Sequence, residues 1–268
     1  MAIWQLQGMK CALSIFAGAF CLLISGLASA VDCGDTINTR EVLDDDLVCT
    51  DNIAITIVGP TGGLDMNGHT ITCDNNSAIG IDVVGLVGYL EGAGTISFCQ
   101  TGVRLAGDGF HNVTNISANN NDFVGLAVSS DFNLITNSSA NGNGNTGILV
   151  TGLRNTLISN IIESNLLDGI QLDGDAPSLA QNYIYDNNRY GIYIADSNFG
   201  NYSQNTSEMN GSVGIYMEAA NQFFNFILNN TSKGNTDFDL EDLNANACSN
   251  INVWRGNTFT TANPSCLN

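Results

Sequence analysis

Basic side chains are scarce in this chain: seven lysines and arginines stand against 26 aspartates and glutamates in 268 residues, a formal net charge of −19. A surface of that sign repels nucleic acid and anionic membranes, and it repels a polyuronate unless a cation bridges the two. Histidine is nearly missing, with only His69 and His111, and no Cys-x-x-Cys occurs. Metal centres built on imidazole and thiolate spacing are therefore excluded. Runs of good helix formers are absent too, because Asn and Gly interrupt every stretch before ten residues accumulate, and both disfavour helix interiors. A single segment, from about Ala12 to Leu27, approaches membrane length, and it is short for a span.

That apolar run follows Lys10 and ends in Ala28-Ser29-Ala30, the arrangement of a signal peptide over 1–30 with a small-x-small cleavage site. Cleavage leaves Val31 first and a mature net charge near −20; Met9, beside Lys10, is an alternative start. No membrane span is expected in the mature chain. Cys11 and Cys21 leave with the leader. Cys33, Cys49, Cys73, Cys99, Cys248 and Cys266 remain, an even set that in an exported chain favours disulfides.

What the chain does have is a period. Gly80, Gly102, Gly125, Gly147, Gly169, Gly191 and Gly214 recur every 22 or 23 residues, each followed by an aliphatic-x-aliphatic or aliphatic-x-Met phrase. Asn76, Asn121, Asn143, Asn165, Asn187 and Asn210 stand four residues ahead of their glycines, and Phe98 interrupts the series. A fixed period of this length means units that bury their apolar faces by stacking on one another. Alternation such as Ile170-Gln171-Leu172 gives a strand with one face inward, and a second short apolar stretch falls midway between glycines. Each unit therefore reads as a coil of two or three strands, with coils stacked in parallel about 4.8 Å apart. A second asparagine series, Asn115, Asn137, Asn160, Asn182, Asn205 and then Asn229 or Asn230, suits side-chain ladders and left-handed corners, where Gly is equally at ease. Leucine-rich repeats share the period, but their Leu-x-x-Leu-x-Leu phrase does not recur.

On these repeats, the opening phrase Leu64-Asp65-Met66-Asn67-Gly68-His69-Thr70-Ile71 and the ending Trp254-Arg255-Gly256-Asn257-Thr258-Phe259 between Cys248 and Cys266, the chain resembles right-handed parallel β-helix repeat proteins of the pectin-lyase-like fold. The resemblance covers roughly residues 53 to 268. It implies an all-β solenoid of about 8–9 coils with disulfide-stapled ends: an N-terminal cap over 31–54, the β-helix over 55–245 and a C-terminal cap over 246–268. Six cysteines allow fifteen pairings. Position favours Cys33 with Cys49, Cys73 with Cys99 on adjacent coils, and Cys248 with Cys266 around the tail. The family includes polysaccharide lyases, glycosidases, epimerases, tailspikes and a copper-associated branch, so the resemblance implies a polysaccharide or cell-surface glycan partner. No ligand cluster here supports copper. The polygalacturonase-like set of motifs is missing apart from Asn235-Thr236-Asp237.

Function has to lie in outward side chains. Two residues past each glycine stand Asp82, Arg104, Ala127, Leu149, Gln171, Tyr193 and Tyr216, with Asp239 expected next; Asp82 and Arg104 should form a surface ion pair. Paired tyrosines offer sugar rings an apolar platform with polar edges. Beyond that strand runs an acidic row: Asp173, Asp175, Asp196, Glu218, Glu241 and Asp242, with Asp108 and Asp131 in earlier coils. Carboxylates one or two coils apart match the separations of retaining and inverting glycosidases. The sequence identifies no cofactor, and calcium is the ion that Asp173, Asp175 and Asp196 would suit if they converge. Lyases of the resembled family need a base, for which Arg189 is the best placed. Two functions fit: a non-catalytic glycan-binding or cell-surface protein with Gln171, Asp173, Tyr193 and Tyr216 as its contacts, or a polysaccharide lyase or hydrolase using Arg189, Asp196 and Glu218.

Overall fold

The computed structural model describes residues 30–74, 78–218, 221–245, 247–249 and 251–267. Residues 1–29 of the expected leader, and Asn76 of the repeat, lie outside them. Among the described residues no helix is long and apolar enough to cross a membrane.

The chain winds as an all-β parallel solenoid of about ten turns. Every ladder is parallel, and each strand pairs with its counterpart one turn away, as Ile148–Val150 does with Ile170–Leu172 and that strand with Ile192–Ile194. Among the described residues one sheet has 11 strands and a second has 10. The third side carries two four-stranded sheets, joined through bridges from Ser117 to Ser139 to Ile161. The turns exceed the repeats visible in sequence because both terminal segments join the stack. Asp35–Ile37 pairs with Ile53–Val58, and Ala262–Asn263 pairs with Leu240–Asp242.

Alternation sets the core. Ile170, Leu172, Ile192, Ile194 and Ile215 from the first sheet meet Leu157, Leu179 and Ile227 from the second and Ile162 and Ile184 from the third, all with zero exposure. Each contributes about 1.5–3 kcal/mol relative to an exposed position. Side chains outside the core therefore carry most of the freedom to vary.

The repeat glycines play a different part from the one expected of them. None has a positive φ. They are required by close approach: a Cβ at Gly147 would lie 2.6 Å from Ile162 Cγ2 and 2.8 Å from the carbonyl oxygen of Gly169. The left-handed corners fall elsewhere, three to a coil. Phe110, Phe132, Arg154, Ala176, Phe199 and Phe224 turn the first corner; Asn115, Asn137, Ser159, Gln181, Gln204 and Asn229 the second; Phe98, Asn120, Ser164, Asp186 and Met209 the third, all with φ between 50° and 60°.

Ladder residues, most of them buried asparagines, follow directly after many of these corners. At the third corner Asn121, Asn143, Asn165, Asn187, Asn210 and Asn235 bond amide to carbonyl at 2.8–3.2 Å. At the second, the ladder is Asn160, Asn182, Asn205, Asn230 and Asn257. Asn115 and Asn137 are not its rungs, because each stands one residue earlier in the left-handed turn, and Ser138 takes the rung below Asn160. The interruption at Phe98 has the same explanation: Phe98 turns the corner, and Cys99 occupies the ladder place, its N–H donating to Asn121. A further ladder at the first corner runs from Asn133 to Asn155 and from Asn225 to Asn252, with His111 capping its lower end through a bond from its N–H to Asn133.

Disulfides join Cys33 to Cys49, Cys73 to Cys99 and Cys248 to Cys266, the pairing expected from position. With separations of 16, 26 and 18 residues, each is worth about 3 kcal/mol in the chain-entropy account. Two of them hold the ends, where repeat stacks fray first.

Candidate functional site

The outward row of the first sheet runs in strict register from Asp82 through Arg104, Ala127, Leu149, Gln171, Tyr193 and Tyr216. Its next member is Glu241, not Asp239. That turn takes 25 residues instead of 22 or 23, so a constant period falls two residues short. Asp239 is 1% exposed and accepts the N–H groups of Thr260 and Thr261, which makes it a structural cap of the last turn.

At the lower end Arg104 grips Asp82 through two bonds, Nε to Oδ1 at 2.8 Å and Nη2 to Oδ2 at 2.6 Å. Asp82 is 3% exposed, so this is a bidentate pair with one buried member, not the weak surface contact expected.

The upper end holds the aromatic cluster. Tyr190, which the sequence reading passed over, stacks on Tyr216 at 4.3 Å and 24° and tilts against Tyr193 at 5.1 Å. Tyr193 and Tyr216 lie 5.5 Å apart. Arg189 sits above the rings of Tyr190 and Tyr193 at 4.9 and 5.4 Å. Its guanidinium is clamped by Asp168, Nε to Oδ1 at 2.8 Å and Nη2 to Oδ2 at 2.5 Å, and Asp168 is wholly buried. The Asp168 bond pushes the arginine pKa further up. Arg189 is thus a fixed cation, poorly suited to the role of base. Asp168 precedes its repeat glycine by one residue and Arg189 precedes the next by two. Their offset of 21 hides the pair from any reading at a single period.

The acidic row is less continuous than expected. Asp173 and Glu218 occupy equivalent places, their N–H groups bonding back to Val150 and Ile194, but Ala195 stands between them and Asp196 falls one residue out of line. Asp173 accepts from Gln171 at 3.1 Å. Glu218 accepts a 2.5 Å bond from the hydroxyl of Tyr193, and Glu241 accepts from Asn263 at 2.7 Å. Asp175 and Asp131 serve the backbone, taking the N–H groups of Asn198 and Leu153 at 2.8 Å each. Asp242 is buried and accepts the indole N–H of Trp254. Among the described residues no three His, Cys, Asp or Glu side chains gather around a common point, Asp173, Asp175 and Asp196 included. The two histidines are structural. His111 accepts from the N–H of Gly88 and meets the Ala106 carbonyl oxygen at 2.8 Å, and burial lowers its pKa. His69 turns a corner beside Asp46, whose carboxyl is held down chiefly by the Thr70 N–H.

Burial raises the pKa of all three clustered phenols. For Tyr193 the bond to Glu218 adds to it, and Tyr216 is pushed up to about 12. A phenol in an unfolded chain ionises near ~10. The folded value lies higher, so the contribution to stability is whole below pH ~10 and drains away as pH rises through about 12. Denaturation midpoints at pH 9 and pH 11 should therefore differ, with the difference reduced in Tyr216→Phe. An unchanged pH dependence in that variant would refute the assignment.

A family model for the "Right handed beta helix region" matches residues 93–237, more than half of the chain. The chain belongs to the right-handed β-helix family. None of the curated proteins matches this β-helix in sequence. Among solved structures it is similar to the periplasmic alginate epimerase AlgG in its D317A form (15% identity, 75% of this chain and 57% of that one, TM-score 0.59). It is also similar to pectate lyase Pel9A (17%, 84% and 60%, 0.54) and to the Dettilon tailspike protein (12%, 84% and 55%, 0.57). At such identities the likeness concerns the fold. The β-helix spans a little over half the length of each of these structures.

Proposed function

We propose that this β-helix is an exported, non-catalytic glycan-binding protein that takes neutral sugars on the Tyr190, Tyr193 and Tyr216 face. Export rests on the leader over 1–30 and on the three disulfides; the segments 31–54 and 246–268 serve as caps that themselves join the stack at either end of the body over 55–245. The observation that carries the reading is the aromatic cluster itself, three tyrosines from two adjacent turns held together by packing and by the Arg189–Asp168 clamp. Tyr216 is 9% exposed and backs the other two, so Tyr190 and Tyr193 offer CH-bearing sugar faces the apolar surface, with the Tyr193 hydroxyl, Glu218, Gln171 and Asp173 at its edges for hydroxyls.

Charge selects among glycans. Arg189 spends its charge on Asp168, while Asp173, Glu218 and Glu241 surround the rings, so a uronate polymer meets repulsion there. The similar solved structures include an alginate epimerase and a pectate lyase, which supports a polysaccharide partner of some kind. The catalytic alternative, a lyase or hydrolase using Arg189, Asp196 and Glu218, has less support, because Arg189 is fixed and Asp196 stands out of line.

The test is affinity electrophoresis through gels loaded with neutral polysaccharides, alginate or polygalacturonate, alongside assays for unsaturated products and reducing ends. Retardation by a neutral polymer, weakened about tenfold in Tyr190→Ala, is expected; this corresponds to about 1.4 kcal/mol. Turnover lost in Glu218→Gln, or retardation by uronates alone, would overturn the proposal.

A further inference from the structure

The first corner of the solenoid, between the two long sheets, carries an aromatic stack on the outside of the protein. Phe110 and Phe132 lie face to face at 4.7 Å and 5°. Arg154 continues the stack one turn on, 5.4 Å above the ring of Phe132. Phe199 and Phe224 resume it at 5.5 Å and 26°, with Phe223 edge-on to both. All four stacked phenylalanines are 40–55% exposed. Each occupies a left-handed position that its neighbours in other turns fill with arginine or alanine, so the corner itself does not demand an aromatic ring.

One level of the stack is empty. Ala176 stands between Arg154 and Phe199, two strand spacings or about 9.6 Å apart along the axis. The depression left there has a volume of about 630 Å³ and is lined by Phe132, Leu153, Arg154, Asp175, Ala176 and Phe199. That volume lies within the range of small-ligand sites. A ring centred over Ala176 would sit about 4.8 Å from the guanidinium below and from the Phe199 ring above, which is stacking distance.

The polar groups narrow the ligand. Arg154 makes no ion pair among the described residues and offers donors around its plane. Asp175 uses Oδ1 for the N–H and side-chain amide of Asn198, which leaves Oδ2 for a ligand hydroxyl. A flat apolar ring would desolvate both groups without satisfying either. A pyranose presents CH groups on its faces and hydroxyls around its edge, which matches rings above and charged groups at the side.

We propose that the gap over Ala176 is a binding site for a single neutral pyranose, intercalated between Arg154 and Phe199. The site lies on a different corner from the tyrosine face. It shares the sugar chemistry of that face and rests on none of its residues.

Phenylalanine stands at the matching left-handed positions of other turns, so Ala176→Phe completes the stack without a new backbone demand. The test is saturation-transfer NMR on the full mature chain with methyl β-D-glucopyranoside, methyl α-D-mannopyranoside, a methyl galacturonoside and benzyl alcohol as probes. In a Tyr190→Ala background, which removes the tyrosine face, transfer to a neutral glycoside is expected and falls at least fivefold when Ala176→Phe or Phe199→Ala is added. Transfer lost on Tyr190→Ala alone, with Ala176→Phe and Phe199→Ala silent in the parent chain, would put the sugar on the tyrosine face and overturn this site. The proposal is overturned if no neutral glycoside receives transfer, if transfer survives Ala176→Phe and Phe199→Ala in the Tyr190→Ala background, or if the uronide or benzyl alcohol binds more strongly. It is equally overturned if the Ala176→Phe chain sediments as a monomer where the parent is a dimer, which would make the stack a contact between copies.

Discussion

Replacing Asn187 by alanine lowers the unfolding midpoint by roughly 10 °C, while replacing its exposed neighbour Asn188 moves it by no more than ~2 °C. Asn187 is buried at the third corner and works in four directions. Its amide donates to Asn210 at 3.1 Å and to the carbonyl of Ile162 at 3.1 Å, and its carbonyl accepts the N–H and the amide of Asn165 at 3.1 and 2.8 Å. Alanine leaves these groups buried and unpaired, at ~1–3 kcal/mol for each that water cannot reach. A sum of about 4 kcal/mol follows if partial relaxation satisfies half of them, and a domain of this size loses ~2–4 °C per kcal/mol. Among the described residues the Asn188 side chain bonds only the Leu166 carbonyl, at 3.3 Å on the surface. Thermal melts followed by circular dichroism decide the matter: equal shifts for the two variants would show that the ladder is decoration.

This contrast also explains what the sequence made legible. Period, strand alternation and the cysteine pairing were readable because each is a property of spacing, and stacked coils convert spacing directly into contact. The roles of particular Asn and Gly positions were not. Asn137 and Asn160 look alike in sequence, yet one turns a left-handed corner and the other bonds along the axis. The choice depends on a one-residue phase, and either residue is tolerated in either place. Repeat glycines resemble turn glycines equally well, and only the contact between Gly147 and Ile162 shows that crowding, not φ, selects them.

The candidate site was legible in part for a related reason. Tyr193 and Tyr216 repeat at the period and were found. Tyr190 and Asp168 reach the same place diagonally, from the segment before the strand, and carry no periodic signature. Glu241 was assigned to the acidic row because the last interval lengthens to 25 residues, which moves the tyrosine row onto it. Departures from the period, then, are where this chain places chemistry.

The second large effect falls on such a departure. Arg189→Ala should cost about 3 kcal/mol, at the low end of the range for breaking a pair with a buried member. Asp168 has no exposure, and beyond the arginine its bond in the cluster is a long one of 3.3 Å from the N–H of Tyr190. Removing the guanidinium strands a carboxylate beneath the tyrosines, and because Arg189 is 39% exposed, water offsets part of the loss. Lysine at the same place restores charge without the two-pronged grip, so Arg189→Lys should recover less than half of the deficit. Asp168→Asn combined with Arg189→Ala should be more stable than Arg189→Ala alone, since no buried charge then lacks a partner. Denaturant titrations of the four proteins measure the coupling. A double variant no better than Arg189→Ala would mean that the clamp orients the rings without holding the fold, and Tyr190 would then owe its position to Tyr193 and Tyr216.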